Sequence, residues 1–319
     1  MLFRSTAADV PVNSFGIFPD YKDQPVLAEG EVRFRGEAVA ALVGEYRAVM
    51  RISDSELPIH WEPLAPRASV ADALASRGEP IHAARPDNVL TRGRVVKGDV
   101  DAALARADFV AEGEFDTAYV EHAYIELEAG WAARIGDRIR VFACTQTPYM
   151  DRDEVARVLA IEPSRVHIVP SAVGGAFGGK LDVSVQPLLA VAAWKLNRPV
   201  RIVYSRPESM ASTTKRHPAR MRGRFACDRA GRLTAAEFEG DFNTGAYASW
   251  GSTVANRVPI HAAGPYSVPH VRALTRAVYT NGPIAGAFRG FGVPQSTIVH
   301  EALIDELAER AGLDRLEFR

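Results

Sequence analysis

Apolar and polar positions alternate along much of the chain in patterns that predict both strands and helices. Period-two alternation and short apolar runs predict strands at residues 109–115, 130–144, 166–169, 200–204 and 271–280. Apolar residues at three- and four-residue spacing predict helices at residues 99–107, 151–161, 186–196 and 295–311. Two further runs, residues 221–227 and 233–243, predict a β-hairpin. The pattern therefore favours an α+β fold in which helices pack against mixed sheets.

The first hundred residues carry a weaker pattern. Residues 32–43 predict a strand, a turn at Gly36 and a second strand that leads into a short helix at residues 45–50. Residues 59–64 predict another short strand. Residues 65–97 are rich in Pro, Arg, Ala and Gly, which is typical of a segment that crosses the surface. We therefore expect a first domain at residues 1–66, a linker at 67–97 and a second domain at 98–319.

Composition excludes several classes of protein. The chain has 319 residues, an apolar fraction of 47% and a net charge of −1, which gives no electrostatic reason to bind nucleic acid or an acidic membrane. No apolar run approaches the length of about 18 residues that a membrane span needs, and the start lacks the shape of a signal peptide. Two distant cysteines, Cys144 and Cys227, cannot supply the four thiolates of an iron–sulfur cluster. A cytoplasmic protein with unpaired thiols is expected.

The most informative stretch is the heptad GGAFGGK at residues 174–180. It stands between the predicted strand at 166–169 and the predicted helix at 186–196, which Asn197 should end. Glycines allow positive φ and leave room for a ligand to approach the backbone. A strand, a glycine loop and a helix in this order are typical of a site that holds an anionic cofactor.

Two other interpretations of the heptad compete with this one. It fits the phosphate-loop pattern, but Leu181 stands where Mg²⁺ binding needs a Ser or Thr hydroxyl, so an NTPase is disfavoured. It could also be a structural turn. A second loop, GAFRGFGVPQ at residues 286–295, weakens that alternative, because two glycine loops with embedded Phe residues suggest two walls of one site. Arg289, between glycines, is suited to an anion or an oxo group.

At these loops the chain resembles the large, molybdopterin-binding subunit of the molybdenum hydroxylases, the family of xanthine dehydrogenase and aldehyde oxidase. Further stretches agree with the family in the same order: EVRFRGEAVA at 31–40, EHAYIE at 121–126, TQTPY at 145–149, KRHP at 215–218 and GPY at 264–266. The resemblance implies a partial hammerhead domain followed by the first molybdenum-cofactor-binding domain.

The resemblance also implies the chemistry. In this family a pterin dithiolene, and no protein side chain, holds the molybdenum, which hydroxylates an aldehyde or an N-heteroaromatic or purine-like carbon with oxygen derived from water. Electrons leave through 2Fe–2S centres and FAD on partner chains. The expected cofactor is molybdenum–molybdopterin in its cytosine dinucleotide form.

The resemblance assigns roles to individual residues. Gln146 would donate a hydrogen bond to a molybdenum oxo ligand, and Phe177 would present its backbone N–H there. Arg289 would lie against polar groups of the cofactor, and the other expected cofactor contacts are Gly175, Ala176 and Gly178. From sequence alone, loop capping for Gln146 and core packing for Phe177 remain open alternatives.

Three residues are expected on the substrate side. Phe291 would stack on a flat substrate, and Arg257 is either a residue that polarises substrate oxygen or an ordinary surface arginine. Leu181 replaces the glutamate of xanthine-oxidising relatives, which favours a more apolar or differently substituted substrate. Gly290 stands where the carbon monoxide branch has a cysteine, so that activity is excluded.

The family's general base is a glutamate in a second molybdenum-binding half, which this sequence lacks. We therefore expect a fragment or a split subunit that is inactive alone. Its expected partners are a chain with the missing half, an iron–sulfur subunit and an FAD subunit. The alternative is a non-catalytic fragment or assembly scaffold of such a complex.

Overall fold

The structure is a computed structural model that describes residues 3–76 and 79–319. The chain forms two compact units, each assembled from segments far apart in sequence. Unit 1 comprises Met1–Arg67, Glu121–Thr214 and Asn281–Ile284. Unit 2 comprises Ala68–Val120, Lys215–Thr280 and Ala285–Arg319.

Strands and helices alternate through both units. The strands are β1 (Phe3–Ser5), β2 (Ala41–Val43), β3 (Val89–Lys97), β4 (Phe109–Thr117), β5 (Ala129–Ile135), β6 (Arg138–Ala143), β7 (Val166–Pro170), β8 (Val200–Val203), β9 (Ala219–Cys227), β10 (Leu233–Gly245) and β11 (His270–Tyr279). The helices are α1 (Tyr46–Val49), α2 (Val70–Ala75), α3 (Val100–Arg106), α4 (Pro148–Leu159), α5 (Gln186–Leu196), α6 (Arg206–Ser212), α7 (Gly251–His261), α8 (Val293–Ala311) and α9 (Arg315–Phe318). Among the described residues, none of the helices has the length and apolar character that crossing a membrane requires.

Unit 1 is built on a four-stranded sheet in the order β7-β6-β5-β8. Strand β5 pairs antiparallel with β6 and β8, whereas β6 and β7 are parallel. Helices α4 and α5 pack against this sheet around buried aliphatic side chains such as Val141, Val155 and Leu189. Because α4 connects two parallel neighbours, the loops that follow β6 and β7 leave from the same edge of the sheet.

Unit 2 is built on a five-stranded sheet in the order β3-β11-β10-β9-β4. Strands β10 and β11 are parallel and are connected through α7, so the segments that follow them also leave from one edge. Helix α7 packs on β3 and β11, and α8 packs on β4 and β9. The close approach of α8 requires glycine in the sheet, because a Cβ at Gly223 would lie 2.5 Å from Val299 Cγ1.

The predicted segments of the second half are close to the observed ones. Helix α5 has the predicted bounds, and Asn197 ends it in the left-handed region at φ 50°. Asp99 caps α3, since its side chain accepts a hydrogen bond from the Ala102 N–H. Helix α8 begins two residues before the predicted start at 295. Helix α7 was not predicted, because it contains Pro259 and its apolar face is short.

Several predictions for the first hundred residues are wrong. Residues 32–35 and 59–64 form no strand. The second segment contains Pro63 and follows Pro58, so it lacks N–H groups that a sheet needs. The predicted linker contains α2 and strand β3, which pairs with β11. Strand β3 looked like a linker because its middle carries the exposed residues Arg92 and Arg94 on either side of the buried Gly93.

Candidate functional site

The first glycine loop, residues 174–180, follows β7 at the carboxyl edge of the unit 1 sheet. Its backbone enters the left-handed region at Gly175 (φ 97°), Phe177 (φ 52°) and Gly178 (φ 105°). Glycine adopts this region freely, whereas a phenylalanine there costs about 1–3 kcal/mol. Phe177 remains 49% exposed, so burial of its ring offsets little of that cost. Strain around an exposed side chain is typical of a functional loop.

This loop carries three backbone donors in a row. Among residues 3–76 and 79–319, the N–H groups of Gly175, Ala176 and Phe177 donate to no acceptor. The next amides are bonded, since the Gly178 N–H donates to Gln146 Oε1 at 3.2 Å and the Gly179 N–H to the Ala176 carbonyl at 2.8 Å. Successive N–H groups with alternating φ form a concavity that binds anions and oxo groups.

Gln146 reaches the same loop from the end of β6, because β6 and β7 are parallel neighbours. Its N–H donates to the Lys180 carbonyl at 2.9 Å, and its Oε1 accepts from Gly178. The side chain is exposed, and its Nε2 has no acceptor within the described part of the chain. Gln146 therefore presents an unused N–H₂ donor beside three unused backbone donors.

Lys180, which gives the heptad its likeness to a phosphate loop, is turned into the protein. Its side chain is 3% exposed, and Nζ donates to Glu126 Oε2 at 2.7 Å and to the Glu126 carbonyl at 2.9 Å. A phosphate-loop lysine must instead reach the phosphates of a nucleotide. Because the Lys180 ammonium is paired with Glu126, it is not placed to bind a phosphate, and this geometry disfavours a nucleotide site.

Leu181 lies directly after the heptad, at the end of the 3₁₀ turn Gly179–Leu181. Its carbonyl accepts from Thr147 Oγ1 at 3.2 Å, and its N–H donates to the Gly178 carbonyl at 3.1 Å. Its backbone is therefore tied to the Gln146 segment as well as to the heptad. The half-buried side chain offers no polar group to a substrate.

The second glycine loop, residues 286–295, leads into α8 in unit 2. Like the first loop, it has a left-handed Phe followed by a left-handed Gly, here Phe291 at φ 52° and Gly292 at φ 92°, and Gly290 directly before them is at φ 91°. There is no room beside Gly292, where a Cβ would lie 2.9 Å from Val258 Cγ2 and 3.0 Å from the Val254 carbonyl oxygen. Packing against α7 therefore fixes this turn.

Arg289 lies at the exposed tip of the second loop. In the described residues, its guanidinium has no hydrogen-bond or ion-pair partner. Its carbonyl accepts from Arg216 Nη2 at 2.9 Å, and the Arg216 guanidinium lies 4.0 Å from the centre of the Phe288 ring. The backbone is thus held while the charged end of Arg289 remains available.

Phe291, Trp250 and Arg257 lie together in unit 2. The rings of Phe291 and Trp250 meet edge to face with centroids 5.7 Å apart. Arg257 is an exposed residue of α7, and its guanidinium lies 6.0 Å from the centre of the Phe291 ring. The structure therefore brings the two predicted substrate residues of unit 2 together. Trp250 was missed because it follows β10, far from both glycine loops in sequence.

A buried carboxyl lies on α4 of unit 1. Asp151 is fully buried, and one of its oxygens accepts from Gln186 Nε2 at 3.0 Å. Burial raises the pKa of Asp151 to about 7, and the polar groups of Thr145 and Gln186 offset only part of that effect. In unit 2, burial together with the charge of Arg216 lowers the pKa of His217 to about 3.

Protein ligands for a metal are not assembled in the described residues, where no three His, Cys, Asp or Glu side chains form a group suited to one. The two thiols, Cys144 and Cys227, are buried and unpaired. Burial raises the pKa of both, to about 11 at Cys227. Neither is poised as a nucleophile or as a metal ligand.

A groove of about 560 Å³ lies on the open face of the unit 2 sheet and includes none of the predicted site residues. Long charged side chains line it, many of them in ion pairs such as Arg220–Glu114 and Arg276–Asp241. We interpret this groove as a solvated charged face, because the unused donors and strained aromatic residues belong to the two glycine loops.

Comparisons with known proteins agree on one family. The family model of the molybdopterin cofactor-binding domain matches residues 81–319. The nicotinate dehydrogenase large molybdopterin subunit of Eubacterium barkeri is 38% identical over 308 residues, which are 96% of this chain and 72% of that protein. The xanthine dehydrogenase molybdenum-binding subunit of Escherichia coli O157:H7 is 32% identical over 302 residues, which are 94% of this chain and 40% of that protein.

Solved structures share the fold. Aldehyde oxidoreductase from Desulfovibrio gigas superposes with a TM-score of 0.93 at 30% identity, over 99% of this chain and 36% of that one. Quinoline 2-oxidoreductase from Pseudomonas putida 86 gives a TM-score of 0.91 at 29% identity, over 99% of this chain and 42% of that one. The chain thus spans less than half the length of these solved relatives.

Proposed function

Because this chain belongs to the family of molybdopterin cofactor-binding domains, we propose that it supplies cofactor contacts in a molybdenum hydroxylase. The observation that carries the proposal is the row of N–H donors at Gly175, Ala176 and Phe177, which have no acceptor in the described part of the chain, with the equally unused Nε2 of Gln146 beside them. When bound, the cofactor supplies a molybdenum centre that accepts two electrons from a carbon being hydroxylated with water-derived oxygen.

The residues of this chain bind and orient that group. The three backbone donors and Gln146 Nε2 are suited to oxo and other anionic oxygen atoms, and they are held in place before the cofactor arrives. Arg289, in unit 2, carries a permanent positive charge on a fixed backbone, which suits polar or phosphate groups of a molybdopterin cofactor. A cytosine dinucleotide form of the pterin is part of this proposal.

The proposed substrate is an aldehyde or an N-heteroaromatic compound. Phe291 offers a face or an edge to a flat ring, and Arg257 beside it can bind a substrate oxygen or carboxylate. Leu181 provides no hydrogen bond to a purine. Two relatives named for N-heteroaromatic substrates, nicotinate and quinoline, fit this choice.

The rest of the enzyme is proposed to lie outside these residues. We propose that another polypeptide supplies the second molybdenum-binding half with its general base, and that iron–sulfur and FAD subunits complete electron transfer. Exposed apolar side chains on both sides of the Glu126–Gly174 backbone pairing support such a neighbour: Ile125 is 92% exposed and Val173 is 40% exposed. We also propose that residues 1–66 are the partial hammerhead domain and residues 98–319 the first cofactor domain.

The proposal is tested by molybdenum content. The chain is co-expressed with the polypeptides encoded beside it, in a host that makes the cofactor, and molybdenum per complex is measured. Gln146→Leu should lower that content about tenfold or more, by analogy with the loss of groups that orient a metal site. Tyr149→Leu, a change at a 75% exposed neighbour, should not. A wild-type complex without molybdenum would refute the proposal.

Turnover gives a second test. The isolated chain should oxidise neither an aldehyde nor an N-heteroaromatic acid, because a missing general base is worth about 10²–10⁴ in rate. An isolated chain that holds one molybdenum and turns over either substrate would show that no second half is needed.

A further inference from the structure

An ion pair joins Lys180, the buried last residue of the heptad, to the half-buried Glu126. Lys180 is 3% exposed, and its Nζ lies 4.7 Å from the centre of the Tyr124 ring and 2.7 Å from Glu126 Oε2. Taking an ammonium group out of water is unfavourable, and an apolar side chain of similar length would fill the same space without that desolvation cost. Filling space therefore does not explain a lysine at this position, whereas the hydrogen bonds of its ammonium group do.

Glu126 connects the Lys180 ammonium to the start of the loop by hydrogen bonds. Its Oε2 accepts from Lys180 and also from the Gly174 N–H at 2.8 Å, and its own N–H donates to the Gly174 carbonyl at 3.1 Å. Burial alone would raise the pKa of the Glu126 carboxyl, but these hydrogen bonds outweigh burial and lower it. The first residue of the heptad is thus held from both sides by one ionised residue.

Lys180 constrains the other end of the heptad and the Gln146 segment as well. Its carbonyl accepts the Gln146 N–H at 2.9 Å, and Gln146 in turn accepts the Gly178 N–H. The unused donors at residues 175–177 lie between the two ends that this pair fixes. Position 174 also has no room for a side chain, because a Cβ there would lie 2.7 Å from Glu126 Cβ.

We propose that Lys180 and Glu126 form a clasp that sets the backbone geometry of the three N–H donors and the orientation of Gln146. Lys180 is a positioning residue in this proposal, since it touches neither cofactor nor substrate. The identity of the group that the donors meet rests on the proposed function, but the clasp itself concerns the conformation of this chain.

Hydrogen exchange of the cofactor-free protein tests the clasp directly. Lys180→Met keeps the volume and leaves Glu126, 28% exposed, able to take water. The amides of Gly178, Gly179 and Gln146 bond to groups other than the Lys180 ammonium or the Glu126 carboxylate. They should nevertheless exchange about ten- to a hundredfold faster, because the loop around them loosens. The thermal midpoint should stay close to that of the wild type.

Lys195→Met is the matched control. Lys195 also belongs to unit 1 and pairs with Asp9 at 2.5 Å, but the pair is about one-third exposed and lies outside the loop. Exchange in the heptad should be unchanged. If Lys180→Met fails to fold, the double variant Lys180→Met/Glu126→Gln, which carries neither charge, is compared with wild type in the same way.

The outcomes separate the two proposals. Unchanged exchange in the heptad, or equally faster exchange throughout unit 1, would overturn the clasp, because the first shows no constraint and the second shows only a core contact. Molybdenum content of the complex is measured in parallel and should fall about tenfold or more with Lys180→Met, with Lys195→Met unaffected. A wild-type complex without molybdenum would overturn the proposed function, and the exchange data would still decide the clasp.

Discussion

In both units the glycine loop is positioned by the same strand–helix–strand arrangement. In each, two parallel neighbouring strands are joined through a helix, β6–α4–β7 in unit 1 and β10–α7–β11 in unit 2. The segment after the first strand carries Gln146 in unit 1 and Trp250 in unit 2. The glycine loop follows the second strand, with Phe177 or Phe291 at φ 52°. Parallel pairing explains why residues distant in sequence meet.

The loops differ in what holds them. The first is held by polar groups: the Lys180–Glu126 pair at its ends and Gln146 at Gly178. The second has one side-chain hydrogen bond, from Arg216 to the Arg289 carbonyl, and is otherwise held by packing, because Gly292 lies against α7 and Phe291 contacts Trp250. A strained phenylalanine at φ 52° is therefore stabilised by hydrogen bonds and an ion pair in the first loop and by packing in the second. The first loop should be sensitive to lost charges and the second to added volume.

The largest effect is expected for added volume in the second loop. Gly292→Ala places a Cβ at φ 92° and within 3.0 Å of the Val254 carbonyl and Val258. Strain and overlap together should lower the free energy of unfolding by about 3 kcal/mol. The same change at Gly175 of the first loop, where the nearest atom is Tyr124 Cβ at 3.1 Å, should cost only about 1–2 kcal/mol. Urea denaturation measures both.

Gly312→Ala is the control for backbone strain. Gly312 ends α8 at φ 68° with no atom within 4 Å of an added Cβ, so only the conformational cost of about 1 kcal/mol should appear. Equal losses at positions 292 and 312 would show that packing does not hold the second loop.

A pH-dependent effect of intermediate size is expected in unit 1. The pKa of Asp151 is raised to about 7 by burial, so the native state keeps its proton where the unfolded chain has lost it. The stabilising contribution is complete below the ordinary pKa near 3.8 and is lost as pH rises through 7. In the wild type the free energy of unfolding should therefore fall by about 2 kcal/mol between about pH 4 and pH 6. Asp151→Asn should remove this fall.

The measurement is the difference between wild type and Asp151→Asn in free energy of unfolding across that pH range. Asp153→Asn changes an exposed carboxyl on the same helix and should move the curve by less than about 0.5 kcal/mol. A difference that is constant with pH would show that Asp151 is ionised in the native state.

The sequence predicted those parts of the molecule that local pattern determines. Helix α5 and its Asn197 cap follow from one apolar run and one residue, and the α+β fold class and the family are confirmed. Strand β3 was missed because charged side chains on an exposed sheet face look the same in sequence as those of a linker. Only its pairing with β11, from the far end of the chain, distinguishes them.

The site was predicted by resemblance more than by pattern. The resemblance singled out Gln146, the heptad and Phe291, whose partners within each unit are now visible. It did not indicate that Lys180 is buried against Glu126, because a lysine in a glycine loop suggests an exposed phosphate ligand. The burial of Lys180 depends on Tyr124 and Glu126, which lie outside the heptad, so the seven-residue motif alone could not predict it.

The smallest effects are expected for substitutions of the two strained phenylalanines, Phe177 and Phe291. Phe177→Leu removes an exposed ring and should change the free energy of unfolding by less than about 0.5 kcal/mol. Phe291→Leu removes the edge-to-face contact with Trp250 and should cost about 1 kcal/mol. A double-mutant cycle with Trp250→Leu, measured in urea, should show a coupling energy of about 0.5–1.5 kcal/mol for Phe291. Equal losses for the two phenylalanines, or a coupling energy near zero, would mean that packing does not distinguish the second loop from the first.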